Sequence, residues 1–220
     1  MRRRIYLMRH GAVSYFENGR PVAPHEVPLT EDGRAQAQTA AKVFERVTFD
    51  RVVTSGLPRA VETARTVAPG VEPESWPDLR EIESGKLADL PDPEAAFQRA
   101  FRGVVPEDTV FLGGETIGAL YDRVIAALER LLADDGWDTV LAVLHGGVNR
   151  IVLSHALTGD RTYFGTFEQA PACINVLDLG GDATWIVRTV NYIPYDPLHP
   201  ARTTTMEHLW LELQAWLNRD

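Results

Sequence analysis

The 220 residues carry 45% hydrophobic and 24% charged side chains, an ordinary globular composition with enough apolar matter for one domain and a substantial core. A net charge of −9 with no dense basic tract argues against nucleic acid as a partner, and no apolar run approaches the roughly 20 residues that a membrane span needs. One cysteine, Cys173, excludes an intrachain disulfide framework and a cysteine-rich zinc site.

The basic start "MRRR" leads into a strand-like run and not a signal core, so a cytoplasmic location is expected. Residues 4–8 read as a buried strand that stops at Arg9-His10-Gly11, and a loop rich in Pro, Gly and Asn spans 11–29. "LTEDGRAQAQTAAKVFERV" predicts a helix: Thr30 caps it, Glu31 and Asp32 suit its positive end, and Ala37, Ala40, Ala41, Phe44 and Val47 share a face. "DRVVTS" (50–55) is short and β-branched, a second strand, and "PRAVETARTVA" (58–68) is a helix with Pro58 in its first turn. This strand–helix alternation is the rhythm of a parallel sheet.

Between 69 and 113 the regularity breaks into a proline-rich stretch with a helix around 93–102. It reads as a lid inserted at about 82–113 within a single domain of residues 1–220. A long amphipathic helix covers 114–135, with Ile117, Leu120, Tyr121, Val124, Leu128 and Leu131 at helical spacing. "DTVLAVLHGG" (138–147) is a third buried strand ending in His145 and glycines, and "VNRIVLSHALTG" is a helix stopped by Gly159. "CINVLDLGGDATWIVRTVNY" predicts two strands around a Gly-Gly-Asp turn, a hairpin at the sheet edge and a pairing surface for a homodimer. "TMEHLWLELQAWL" closes the chain as a helix, with Thr204 and Glu207 in capping-box spacing. The expected fold class is α/β: a three-layer α/β/α sandwich with a mostly parallel central sheet, an edge hairpin and the inserted lid.

In open α/β sheets, ligands bind beyond the carboxyl ends of the strands. The first strand ends in Arg9 and His10, the second delivers Ser55 and Arg59, and the third delivers His145. Gly11, Gly146 and Gly147 allow close backbone approach to a ligand. Two guanidiniums can grip a phosphate bidentately, and a neutral imidazole can attack phosphorus. The leaving alkoxide then needs a proton, and "DLREIESG" offers Glu81 and Glu83.

The chain resembles the histidine phosphatase superfamily, also called phosphoglycerate-mutase-like. The resemblance rests on "LMRHG", "LTEDGRAQA", "VVTSGLPRAVETA", "LREIESG", "GGET…DRV" and "VLHGGVNR", in that order. It implies that His10 is the nucleophile forming phosphohistidine, that Arg9, Arg59 and His145 hold the phosphoryl group with Gly146 beside them, and that Glu81 is the proton donor, with Glu83 second. It implies no metal and no cofactor. Two departures stand out. The polar phosphate contact often found after "RHG" has two candidates here, Ser14 and Asn18, and "GKLADLPD" replaces a Gly-x-Trp-Glu-Gly-like run, leaving the substrate class open.

The reading is a metal-independent phosphomonoesterase acting on a small phosphorylated metabolite. A phosphoglycerate-mutase-type transferase, a non-catalytic phosphate-binding module and a metal hydrolase are the rivals. His25, His155, His199 and His208 read as structural or surface residues, Cys173 as an inert core residue, and "YDPLHP" as a tight loop. Phe97, Phe101 and Phe111 line the lid or pack within it, and Glu115 orients the arginines or caps the following helix.

Overall fold

The computed structural model describes residues 2–17, 20–86, 89–99, 101–182 and 184–217. In chain order its elements are β1 (Arg3–Arg9), β2 (Phe16–Glu17), β3 (Arg20–Pro21), α1 (Glu31–Val43), β4 (Arg51–Thr54), α2 (Pro58–Val67), β5 (Glu74–Ser75), a 3-10 turn (Pro77–Leu79), α3 (Pro93–Arg99), α4 (Ile117–Leu132), β6 (Thr139–Leu144), α5 (Gly146–Thr158), β7 (Ile174–Leu179), β8 (Trp185–Tyr192) and α6 (Thr205–Leu217). The central sheet has the order β5-β4-β6-β1-β7-β8. The first four run parallel, and β7 and β8 are antiparallel.

Helices cover both faces, so the central strands are apolar on both. Along β1, Ile5 and Leu7 pack with α4 and α5 while Met8 packs with α1 and α2; along β6, Val140, Ala142 and Leu144 face the first pair while Leu141 and Val143 face the second. This is the α/β sandwich that the strand–helix rhythm implies. The caps follow the sequence. Thr30 Oγ1 accepts from Gly33 N at 3.0 Å, Thr116 Oγ1 from Ala119 N at 3.1 Å, and Gly159 ends α5 with φ 68°. Thr204 and Glu207 form the reciprocal box that starts α6.

Three elements differ from expectation. The loop after β1 carries the β2–β3 ribbon and a bridge between Val13 and Leu29. α4 starts at Ile117 and not at 114, because Gly113 and Gly114 press against another segment: a Cβ on Gly114 would stand 2.2 Å from the Glu83 carbonyl oxygen. α5 starts at Gly146, so the glycines read as a strand end form a helical first turn. In the lid, Phe97, Val105, Phe111 and Leu112 belong to the same apolar cluster as Leu120 and Ile151. α6 lies on the lid, with the Phe97 and Trp210 ring centroids 5.9 Å apart.

Candidate active site

Strand register builds the site. β1 and β6 are parallel neighbours with Arg9 opposite Leu144, so the next residues, His10 and His145, leave the sheet side by side. His10 N donates to Leu144 O at 3.0 Å, and the two ring centroids are 5.1 Å apart. β4 is the other neighbour of β6, and Ser55, just beyond its end, places Oγ 2.7 Å from His145 Nε2. α2 begins at Pro58 and turns Arg59 back over the same edge. Thr63, one turn on, ties the two segments together, accepting from Gly11 N at 3.1 Å and donating to Arg59 O at 2.8 Å. Gly11 has no room for a side chain, since its Cβ would stand 2.4 Å from Gly33 O on α1.

Both guanidiniums are buried, and each spends one Nη on a carbonyl: Arg9 Nη1 on Gln169 O at 2.5 Å, Arg59 Nη1 on Pro24 O at 2.6 Å. Arg9 Nε, Arg59 Nε and His145 Nδ1 are buried without a hydrogen-bond partner. Unmet buried donors cost about 1–3 kcal/mol each, and an oxyanion is the group that would satisfy all three. Ser55 Oγ accepts from Leu57 N at 3.3 Å and can give its own proton to His145 Nε2; in that tautomer the hydrogen of His145 stands on the orphaned Nδ1. His10 Nδ1 lies 2.7 Å from Gly11 O. A carbonyl only accepts, so Nδ1 holds the proton and Nε2 keeps its lone pair. Burial, then the Arg59 and Arg9 cations, hold the His10 imidazole well below its ordinary 6.5. Burial, then Arg59, His10 and Arg9, do the same to His145.

Glu81 reaches the site from the other side. Its Oε1 accepts from Ile82 N at 2.9 Å and Gly147 N at 3.0 Å, which seats the carboxyl on the first turn of α5. A clamp fixes the loop that carries it. Arg123 on α4 donates to the carbonyls of Asp78 (2.7 Å), Arg80 (2.6 Å) and Glu81 (3.2 Å) and pairs with Glu115. Glu115 in turn accepts from Glu83 N at 3.2 Å. Arg9 is steadied by a buried amide cluster: Gln169, whose carbonyl receives it, has its Oε1 held by Asn149 Nδ2 and Asn175 Nδ2 at 3.0 and 2.9 Å.

A model of the histidine phosphatase superfamily (branch 1) matches residues 5–192. The chain belongs to the histidine phosphatase superfamily. Membership carries phosphatase or phosphoryl-transfer chemistry in general, without a particular substrate. The chain is 30% identical to an adenosylcobalamin/alpha-ribazole phosphatase of Salmonella typhimurium over 80% of its own length and 90% of that protein. It is 32% identical to phosphoglycerate mutase-like protein 4 of Arabidopsis thaliana over 69% of its length and 70% of that protein. It is 29% identical to a 2-carboxy-D-arabinitol-1-phosphatase of Triticum aestivum, but spans only 42% of that longer protein. Among solved structures, Bacillus stearothermophilus YhfR superposes with a TM-score of 0.71 at 25% identity, covering 84% of this chain and 95% of that one.

In this member of the superfamily the structure brings together Arg9, His10, Arg59, His145, Gly146 and Glu81. Glu83 is exposed, and its backbone N donates to Glu115. Ser14 has its hydroxyl engaged by Phe16 O at 2.9 Å and by the Glu212 carboxylate on α6, and Asn18 lies outside the described residues. Glu115 neither touches Arg9 or Arg59 nor caps α4; Thr116 caps it, and Glu115 serves the Arg123 clamp. Arg123 and Gln169 escaped sequence reasoning. "DRV" stood inside a matching stretch, but nothing in its spacing says that a guanidinium on α4 folds back onto residues 78–81.

Proposed function

We propose that the chain is a metal-independent phosphomonoesterase that hydrolyses a small phosphorylated metabolite through a phosphohistidine at His10. The observation that carries this reading is the pairing of a neutral, tautomer-fixed imidazole with three orphaned donors on an adjacent rim: Arg9 Nε, Arg59 Nε and His145 Nδ1. His10 Nε2 attacks phosphorus, and the P–O bond to the alcohol breaks opposite it. Arg9, Arg59 and His145 stabilise charge on the equatorial oxygens. Glu81 is the acid that gives a proton to the leaving oxygen. Its carboxylate then takes a proton from water as water attacks phosphorus and the P–N bond breaks, which restores both groups.

The reading treats residues 1–220 as one domain with a lid at 82–113, located in the cytoplasm, with β8 as the edge through which two copies would pair. The nucleophile is tested with His10→Ala. This variant should lose hydrolysis of p-nitrophenyl phosphate without added metal while keeping its circular dichroism spectrum, and retained turnover would refute the assignment. The mutase rival shares this geometry and has a phosphoglycerate mutase-like relative in its favour. A coupled assay with 3-phosphoglycerate separates the two, since the hydrolase releases phosphate and the mutase conserves it.

A further inference from the structure

Arg150 sits one turn after Gly146 on α5 and is 2% exposed. Its Nε donates to Gly165 O at 3.2 Å, and its guanidinium carbon lies 4.9 Å from the centre of the Phe101 ring. Those contacts engage one of five N–H donors and supply no negative charge. Among the described residues no carboxylate forms an ion pair with it, although a buried cation without a counter-charge is costly.

The Arg150 guanidinium reaches back to Gly146. A Cβ there would stand 3.1 Å from Arg150 Nη1 and 3.7 Å from both Arg9 Nε and Glu81 Oε2. The three groups thus crowd one side of the first turn of α5. Glu81, as the acid of the reading above, marks where the alcohol leaves, and Arg9 marks the phosphoryl group. Arg150 therefore flanks the leaving alcohol.

We propose that Arg150 forms a subsite for a second anionic group on the substrate, a carboxylate or a second phosphate carried next to the ester carbon. This rests on the phosphomonoesterase reading, because that reading sets which side the alcohol occupies. The Phe101 ring backs the guanidinium plane and leaves its fork free for bidentate pairing. Gly146 is the residue that keeps the space open, since a larger one would fill the volume between Arg150 and Arg9.

The test uses matched esters that differ only in the second charge: 2-phosphoglycerate against glycerol 2-phosphate, and ethylene glycol bisphosphate against its monophosphate. In a His10→Ala background, which holds ligand without turnover, calorimetry gives both dissociation constants. The charged member of at least one pair should bind about 10- to 100-fold more tightly, and Arg150→Met should bring that ratio close to one. Arg150→Lys keeps the charge but not the fork and should retain a ratio of roughly a few-fold; it also covers the case in which the methionine variant does not fold. The pair with the larger Arg150-dependent ratio identifies the anion.

Equal affinities within both pairs in the parent protein would overturn the proposal. So would a ratio that survives Arg150→Met, or a parallel loss for both members, which would place Arg150 on the phosphoryl group or in the structure alone. A wild-type protein that shows the Arg150-dependent ratio yet releases no phosphate would sink the hydrolase reading and leave the subsite standing.

Discussion

Acidification sets two buried imidazoles against the fold. His10 and His145 are held well below 6.5 by burial and by Arg59 and Arg9, whereas in the unfolded chain they titrate normally. Between the unfolded value and the lower folded one, the unfolded chain binds protons that the folded chain refuses, so stability rises with pH there and is lost as pH falls through 6.5. From pH 7.5 to 5.5 this amounts to roughly 1 kcal/mol for each histidine and about 2–3 kcal/mol for the pair. His155, lowered by its own burial against Tyr121, adds a contribution common to any variant of the other two. Urea unfolding at both pH values, in phosphate-free buffer, measures the loss. His10→Gln cannot take up that proton, so its loss over the same interval should be smaller by roughly 1 kcal/mol. If wild type and His10→Gln lose the same stability, the His10 ring is not held neutral by its surroundings, and the argument for a ready lone pair on Nε2 fails with it.

Glu81→Gln should slow hydrolysis of glycerol 2-phosphate on the order of 100-fold and that of p-nitrophenyl phosphate far less, because nitrophenolate leaves without a proton. Equal losses would reassign the acid, with Glu83→Gln measured next. Arg123→Ala frees the carbonyls of Asp78, Arg80 and Glu81 and strands Glu115. It should reproduce the same leaving-group dependence in weaker form, roughly tenfold, since it displaces the acid without removing it. A variant whose two substrates change in step would mean that the clamp supports the fold and not the position of Glu81.

What the sequence made legible was whatever strand order alone determines. The apolar and β-branched runs of β1, β4 and β6 announced buried strands, and in a parallel sheet their carboxyl ends had to share one edge. His10, His145 and Arg59 follow from that rule, and the register of Arg9 opposite Leu144 turns a shared edge into a 5.1 Å ring contact. Illegible were contacts made across folded distance by side chains whose neighbours in sequence look ordinary. Arg123 and Arg150 each sit in helices that the sequence shows through their apolar residues, and that spacing does not say where a guanidinium on them reaches. Ser14 shows the converse: it stands where a phosphate contact is expected, but α6 comes back from the end of the chain and Glu212 takes its hydroxyl. The lid was unreadable because Phe97, Phe101 and Phe111 pack on one another and on Trp210, a pattern with no fixed period along the chain.

The distribution of arginine joins these strands of argument. The chain is acidic overall, and several of its partly exposed arginines are paired where they stand: Arg51 with Glu74 and Asp134, Arg161 with Glu107 and Asp122, Arg4 with Asp178, Arg34 with Glu62. Three arginines are nearly inaccessible, Arg9, Arg59 and Arg150, and among the described residues none of them has a carboxylate partner. All three lie at the carboxyl ends of the strands or on the first two turns of the helices that follow. Partly exposed pairs are weakened by salt, but an unpaired charge in a low-dielectric recess keeps its field. Ion pairing leaves the net charge of −9 unchanged, but charges at the exposed surface are screened by salt, whereas these three cations are buried close to where His10 emerges and act there at short range. An ester that brings its own negative charge supplies the missing partner, and the binding energy it gains there is available to hold phosphorus in line with Nε2.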